Sequence, residues 1–191
     1  MRYFIFTLGC QMNESDSERI ATILESCGLK SAPTDRGADL IIVNACSVRQ
    51  TAIDRIWGKL KLWLKAKPKK IVAITGCILP RDQQKLAKKV DLIFNIKELP
   101  KLPEKLAQIK QLKLKKKSGC LGNYFKIKPT HKDSKTAYIP IMTGCDHFCT
   151  YCAVPYVRGR EYSRPEKEIR KEAQEAIKKG TKEIILLGQN V

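Results

Sequence analysis

Long apolar runs are missing from this chain. No stretch approaches the roughly 18 consecutive apolar residues that a membrane-crossing helix needs. Residues 3–8 at the N-terminus are too few for the core of a signal peptide. Acidic residues are scarce, 19 Asp and Glu against 37 Lys and Arg, for a formal charge of +18. That balance disfavours an acidic protein or a small neutral substrate as partner and fits a polyanion: RNA, DNA or an anionic membrane surface. Histidine is nearly absent, with two in the chain. His147 is crowded by the cysteines around it and is expected to stay out of any metal shell, and His131 sits in a lysine-rich stretch that reads as solvated. Eight cysteines in 191 residues are too few for a small disulfide scaffold and point to a reducing compartment. The expectation is a cytoplasmic protein that does not enter a membrane.

The apolar pattern alternates strand and helix through the first 112 residues. Strands are expected at 2–7, 40–44, 71–75 and 92–94, and helices at 15–26, 50–66, 81–89 and 103–112. This order predicts an α/β domain with a doubly wound parallel sheet. Trp57 and Trp63 read as residues that pack against the sheet. Residues 113–135, with Lys113, Lys115, Lys116, Lys117, Lys126, Lys128 and Lys132 and little periodicity, read as a basic interdomain linker. From 136 onward a strand near 138–142, a helix from Arg164-Pro165 to Lys179 and a strand at 183–187 predict the start of a second, barrel-like domain. Ile169, Ala173, Ala176 and Ile177 are its expected buried helical face. A β-α unit with one further strand cannot bury both faces of a sheet, so the chain is expected to be part of a longer protein.

The chemistry lies in the cysteines. Cys145, Cys149 and Cys152 are spaced Cys-x3-Cys-x2-Cys behind the strand at 138–142. Three thiolates are one ligand short of a closed structural zinc site. On a [4Fe-4S] cluster they leave one iron open to a small molecule. Gly144 before them and Pro155 after them argue against one long helix with three buried cysteines. A second set follows from topology. Cys10, Cys46 and Cys77 each come directly after a predicted strand, and the C-terminal ends of parallel strands share one edge, where ligands collect. Gly9 and Gly76 would let the backbone pass closely round a bulky group. Cys27, at a helix end beside Leu24 and Leu29, reads as core, and Cys120 as a free thiol in a loop.

Cys-x3-Cys-x2-Cys with Tyr151 before the last cysteine is the signature of the radical S-adenosylmethionine (SAM) enzymes. The whole chain resembles the N-terminal part of the methylthiotransferases within them. The resemblance rests on Gly9-Cys-Gln-Met-Asn-Glu-Ser-Asp-Ser-Glu18, Val43-Asn-Ala-Cys-Ser-Val-Arg49, Gly76-Cys77, the Cys145 triplet, Val154-Pro-Tyr-Val-Arg-Gly159, Ser163-Arg-Pro165 and Leu187-Gly-Gln-Asn-Val191, in that order. Ala45 stands where threonine is usual, and Gln50 where glutamate is usual; neither change removes a ligand.

The resemblance implies an N-terminal methylthiotransferase domain over 1–112, the basic linker 113–135, and the beginning of a radical SAM partial TIM barrel over 136–191. It implies two [4Fe-4S] clusters, an auxiliary one on Cys10, Cys46 and Cys77 and a SAM-cleaving one on Cys145, Cys149 and Cys152, with Tyr151 at the SAM site. The expected reaction places a methylthio group on C2 of N6-isopentenyladenosine at position 37 of tRNA. Expected partners are the tRNA anticodon loop and an electron donor such as flavodoxin or ferredoxin, with the protein a monomer. Arg158 and Arg160 are candidate phosphate or SAM-carboxylate contacts. Sister groups modify threonylcarbamoyladenosine in tRNA or a ribosomal-protein aspartate. Gln11-Met-Asn13 in place of Pro-Lys-Asn, and Ser47 in place of glycine, favour the isopentenyl branch. A rival of another class is a non-catalytic iron-sulfur or RNA-binding protein.

Overall fold

The computed structural model describes residues 1–109, 112, 114, 123–130 and 135–191. The expectations for Lys113, Lys115, Lys116, Lys117, Cys120, His131 and Lys132 lie outside the described residues.

Five strands form one parallel sheet: β1 (Arg2–Leu8), β2 (Lys30–Ser31), β3 (Leu40–Cys46), β4 (Ile71–Cys77) and β5 (Leu92–Ile93), in the order β2-β1-β3-β4-β5. This is a doubly wound order, whose direction reverses between β1 and β3. Alternation sends successive side chains to opposite faces. Leu40, Ile42, Ile71 and Ala73 meet α1 (Gln11–Ser26) and α4 (Leu102–Ala107). Ile41, Val43, Val72 and Ile74 meet α2 (Gln50–Lys65) and α3 (Pro80–Ala87). Both faces are thereby covered, as a parallel sheet requires. Trp63 is buried on the α2 face edge-on to Phe6, and its Nε1 donates to Asp35 at 2.8 Å; Trp57 packs partly buried on the same face.

Helix α1 begins earlier than Ser15. Cys10 caps it: the Asn13 side chain accepts from the Cys10 backbone N–H at 3.3 Å, and the Asn13 N–H donates to the Cys10 carbonyl at 2.9 Å. Ser15 has the look of an N-cap residue but lies inside the helix, where its hydroxyl donates to the Tyr138 carbonyl at 3.0 Å. The predicted helix at 103–112 is instead a 3-10 turn over Ile96–Lys101 running into α4.

The second region has β6 (Thr136–Pro140) parallel to β9 (Glu183–Leu187), with α6 (Glu166–Lys178) between them in sequence. This is the β-α-β unit expected at the start of a radical SAM-type α/β region. A small antiparallel pair, β7 (Met142–Thr143) with β8 (Tyr162–Ser163), and α5 (Val154–Arg158) frame the second cysteine loop. Ala176 is fully buried against Ala137 and Ile139, with Ile169 and Ala173 beside it. Ile177 is exposed, contrary to the helical-face reading. The covered arc of α6 is narrower than its apolar positions suggest, because Glu172 takes the adjoining inward place.

The described part of the basic stretch is not solvated chain. Tyr124, Phe125 and Ile127 are buried in the core on the α1 face, and the Thr22 hydroxyl donates to the Lys128 carbonyl at 2.8 Å. Lysines dominate the local composition, but the aromatic pair among them decides where the segment goes. Among the described residues, no helix is long and apolar enough to cross a membrane.

Candidate metal centres at the sheet edge

Parallel register carries the first cysteine set to one edge. Thr7, Asn44 and Thr75 lie side by side across β1, β3 and β4, and Cys46 pairs with Cys77 two residues further on. Cys10 follows β1 at the N-cap of α1. Gly76 allows β3 and β4 to end this close together: at φ +105°, a Cβ there would stand 2.3 Å from the Ala45 carbonyl oxygen. The Ser47 backbone N–H donates to the Cys77 carbonyl at 2.8 Å, and its hydroxyl accepts from the Leu79 N–H at 3.1 Å. Ser47 therefore ties the two strand ends together.

Beneath these cysteines is a buried polar layer. Asn13 Nδ2 donates to Asn44 Oδ1 at 2.9 Å; Asn44 Nδ2 donates to Ser17 Oγ at 3.0 Å; Ser17 Oγ and Thr7 Oγ1 are 2.8 Å apart. Asp16, fully buried, accepts from the Tyr124 hydroxyl. It also forms an ion pair with Arg158, whose Nη2 is 2.7 Å from Asp16 Oδ2 and whose Nη1 is 3.3 Å from Oδ1. Arg158 Nε donates to Cys77 Sγ at 3.0 Å. Burial, with the Asp16 charge beside it, pushes the Tyr124 hydroxyl well up, so it is a donor at any ordinary pH.

The hydrogen bond from Cys77, the backbone N–H groups of Val48 and Arg49 and the Arg158 charge bring the Cys46 thiol down to about 6. Soft thiolates, the N-terminus of a 16-residue helix at Cys10 and a guanidinium against Cys77 fit an anionic iron-sulfur cluster. Among the described residues, no three His, Cys, Asp or Glu side chains stand together as a metal-holding group.

The second set rides on a loop with several anchors. Gly144, at φ +81°, donates its N–H to Gln189 Oε1 at 2.8 Å, and a Cβ on it would stand 2.1 Å from the Arg160 carbonyl oxygen. The Cys145 N–H donates to the Gly159 carbonyl at 3.1 Å, and Cys152 N–H closes a turn onto the Cys149 carbonyl at 2.9 Å. Cys145 is buried, Cys152 half-buried and Cys149 exposed. Tyr151 is 90% exposed. His147 pairs with Asn190 at 2.9 Å. The Gly-Gln-Asn sequence after β9 thus acquires a physical role in bracing this loop.

Arg158, read as a phosphate or SAM-carboxylate contact, is instead a buried residue with partners inside the protein. It is 3% exposed and committed to Asp16 and Cys77, while Arg160, on the surface, pairs with Asp146 at 3.1 Å. Residue-by-residue reading missed Asn13, Asp16 and Tyr124 as site residues. Polar residues on the inner side of a helix were the available signal, masked because Ser15 looked like its start. Cys27 is fully buried in the core, as expected. A cavity of about 390 Å³ opens beside Arg158, lined also by Ile96, Lys97, Tyr124, Phe125 and Thr143.

Two family models match the chain in succession. Residues 2–95 match uncharacterized protein family UPF0004 and residues 139–191 match the radical SAM superfamily. Curated relatives cover nearly all of it. A tRNA-2-methylthio-N(6)-dimethylallyladenosine synthase of Carboxydothermus hydrogenoformans is 41% identical over 99% of this chain and 46% of its own length. Proteins with the same name from Clostridium tetani, 42% identical over 99% of this chain and 44% of its own length, and Thermotoga petrophila, 38% over 100% and 44%, agree. The chain spans somewhat under half the length of these relatives. The chain thus carries a UPF0004 region on the five-stranded sheet and a radical SAM region on the unit after it, and closely matches tRNA-2-methylthio-N(6)-dimethylallyladenosine synthases over nearly its whole length.

Proposed function

We propose that this chain is the cluster-bearing front part of an enzyme that places a methylthio group on C2 of N6-isopentenyladenosine at position 37 of tRNA. In this reading residues 1–112 and 136–191 are its two domains, joined through 113–135. Cys10, Cys46 and Cys77 hold one [4Fe-4S] cluster, Cys145, Cys149 and Cys152 the other, and Tyr151 lies at the SAM site. When bound, the clusters and SAM supply the one-electron chemistry and the sulfur and methyl groups. The partners are the tRNA anticodon loop and an electron donor of the flavodoxin or ferredoxin kind, in a cytoplasmic monomer.

The observation that carries this reading is the contact between the two cysteine regions: Arg158, six residues beyond Cys152, reaches Cys77. Two redox groups acting on one carbon must face each other at short range, because positioning supplies much of the rate. The chain's own residues serve that arrangement. Asp16 of the first domain, held by Tyr124 of the joining segment, fixes Arg158, and Gln189 and Asn190 brace the loop of the second. Between them, the walls of the 390 Å³ cavity offer Tyr162 as an exposed aromatic surface, backed by Phe125, and Lys97 as a cation. This suits an unpaired RNA base better than a duplex. The +18 charge supplies non-specific attraction to the phosphate backbone.

The test has two parts. Anaerobic reconstitution of the full-length protein should load about eight irons, and about four when Cys145, Cys149 and Cys152 are all replaced by alanine. Mass spectrometry should then find 5'-deoxyadenosine and methylthiolated nucleoside with tRNA that carries the isopentenyl group, and no methylthiolated nucleoside with tRNA that lacks it. Equal modification of both tRNAs would overturn the substrate assignment, and a triple variant with no iron would overturn the two independent sites.

A further inference from the structure

The Arg158 side chain crosses from one cysteine region into the other and spends its hydrogen bonds in an unusual way. Its two terminal nitrogens hold Asp16, which already neutralises the charge, and the remaining nitrogen, Nε, donates to Cys77 Sγ at 3.0 Å. The contact is buried: Arg158 is 3% exposed, Asp16 fully buried and Cys77 8% exposed. Burying an ion pair carries a desolvation cost that a leucine or methionine of similar volume would avoid, so space-filling alone does not call for arginine here. A guanidinium gripped at both Nη atoms cannot swing, and its Nε–H direction is fixed by the grip. Tyr124 completes the clamp by donating to the same carboxylate.

We propose that Arg158 is a positioning residue for the Cys77 thiolate, tuning the reduction potential of the cluster on Cys10, Cys46 and Cys77 and linking it to the loop that carries Cys145, Cys149 and Cys152. The inference rests on the cluster assignment proposed above. Hydrogen bonds to cluster sulfurs and nearby positive charge favour the more negative, reduced state and raise the potential. Arg158 supplies both, and Asp16 opposes part of the charge. The pair therefore sets the potential by two terms of opposite sign. Because α5 follows directly on the second cysteine loop, a displacement of that loop would lengthen the contact to Cys77 and lower the potential of the first cluster.

The test uses full-length protein with Cys145, Cys149 and Cys152 replaced by alanine, reconstituted anaerobically so that one cluster loads, and titrated redox-wise under EPR. Arg158→Gln should move the midpoint to more negative potential, Arg158→Lys to a value between, and Asp16→Asn, which keeps the guanidinium and removes its counter-charge, to more positive potential. A cluster retained with lysine and lost with glutamine supports the same contact. An unchanged midpoint in Arg158→Gln at full iron load would overturn the proposal, as would shifts of the same sign for the glutamine and Asp16→Asn variants. Loss of the cluster in both Arg158 variants together with a lowered unfolding midpoint makes Arg158 a packing residue and also overturns it. No cluster at all with Arg158 intact would refute the assignment of Cys10, Cys46 and Cys77 itself, and this inference with it.

Discussion

The five-stranded sheet and the β6-α6-β9 unit are built from the same parts and held in opposite ways. In the first region β3 and β4 are buried almost throughout, and apolar side chains fill both faces. In the second, the described core is Ala137, Ile139 and Ala176 with a few half-buried neighbours, and Leu186 on β9 is 56% exposed. What fastens the second region to the first is largely polar. Arg19 of α1 grips Glu172 on α6 at 2.7 Å and Asp16 holds Arg158, with Phe125 stacked on Tyr162 beside them; within the second region Arg164 holds Glu172 at 2.7 Å and donates to the Pro140 carbonyl at 2.8 Å. Hydrophobic burial is non-directional and tolerates sliding, whereas a buried ion pair has one geometry. Where one region must sit in a fixed register on the other, as Arg158 does on Cys77, directional contacts are the better fastening.

The comparison can be broken at its polar seam. Asp16→Ala leaves Arg158 charged in a buried site and Tyr124 without its acceptor, and should lower the unfolding free energy by about 4 kcal/mol. Denaturant unfolding of the full-length protein should show it. Ile42→Ala, in the fully buried part of β3, should lose about 3 kcal/mol through the cavity it opens. Ordering the two variants this way tests whether the seam outweighs a single core side chain.

Asp35→Asn sharpens the first side of the comparison. The hydrogen bond from Trp63, with Lys59 at 3.2 Å, holds the Asp35 carboxyl below its ordinary value. A depressed carboxylate contributes stability that is present above its unfolded value and lost as pH falls through the folded one. The variant should therefore be less stable by about 1 kcal/mol near neutral pH, and its stability should fall less steeply than the parent's as pH drops below the usual carboxylate range. Parallel slopes would count against the Trp63–Asp35 contact. The smallest effect is expected at Leu186→Ala, within about 0.5 kcal/mol, since the side chain is largely in solvent; a loss near that of Ile42→Ala would show that β9 is covered in the full-length protein.

Much of this molecule was legible in the residues. Apolar alternation located β3, β4 and β9, and the placement of Cys10, Cys46 and Cys77 after successive strands followed from local pattern, because strand and helix periods are properties of neighbouring residues. Element edges were harder. Asn13 turns Cys10 into a helix cap, and Ser15, which resembles a cap, spends its hydroxyl on Tyr138 more than a hundred residues away. No local rule weighs those two against each other.

By itself, the sequence determined the chemistry available here: cysteines placed after three strands, a Cys-x3-Cys-x2-Cys loop, a doubly wound α/β order and a strongly basic composition. Tertiary structure alone decided which polar residues act together. Asp16, Tyr124 and Arg158 come from three separate segments and have nothing in common in the chain. Each would read singly as a surface residue, a linker aromatic or a phosphate contact. They become one clamp on Cys77 because packing removes water from all of them at once, and a charge without water must find a partner wherever the fold has put one.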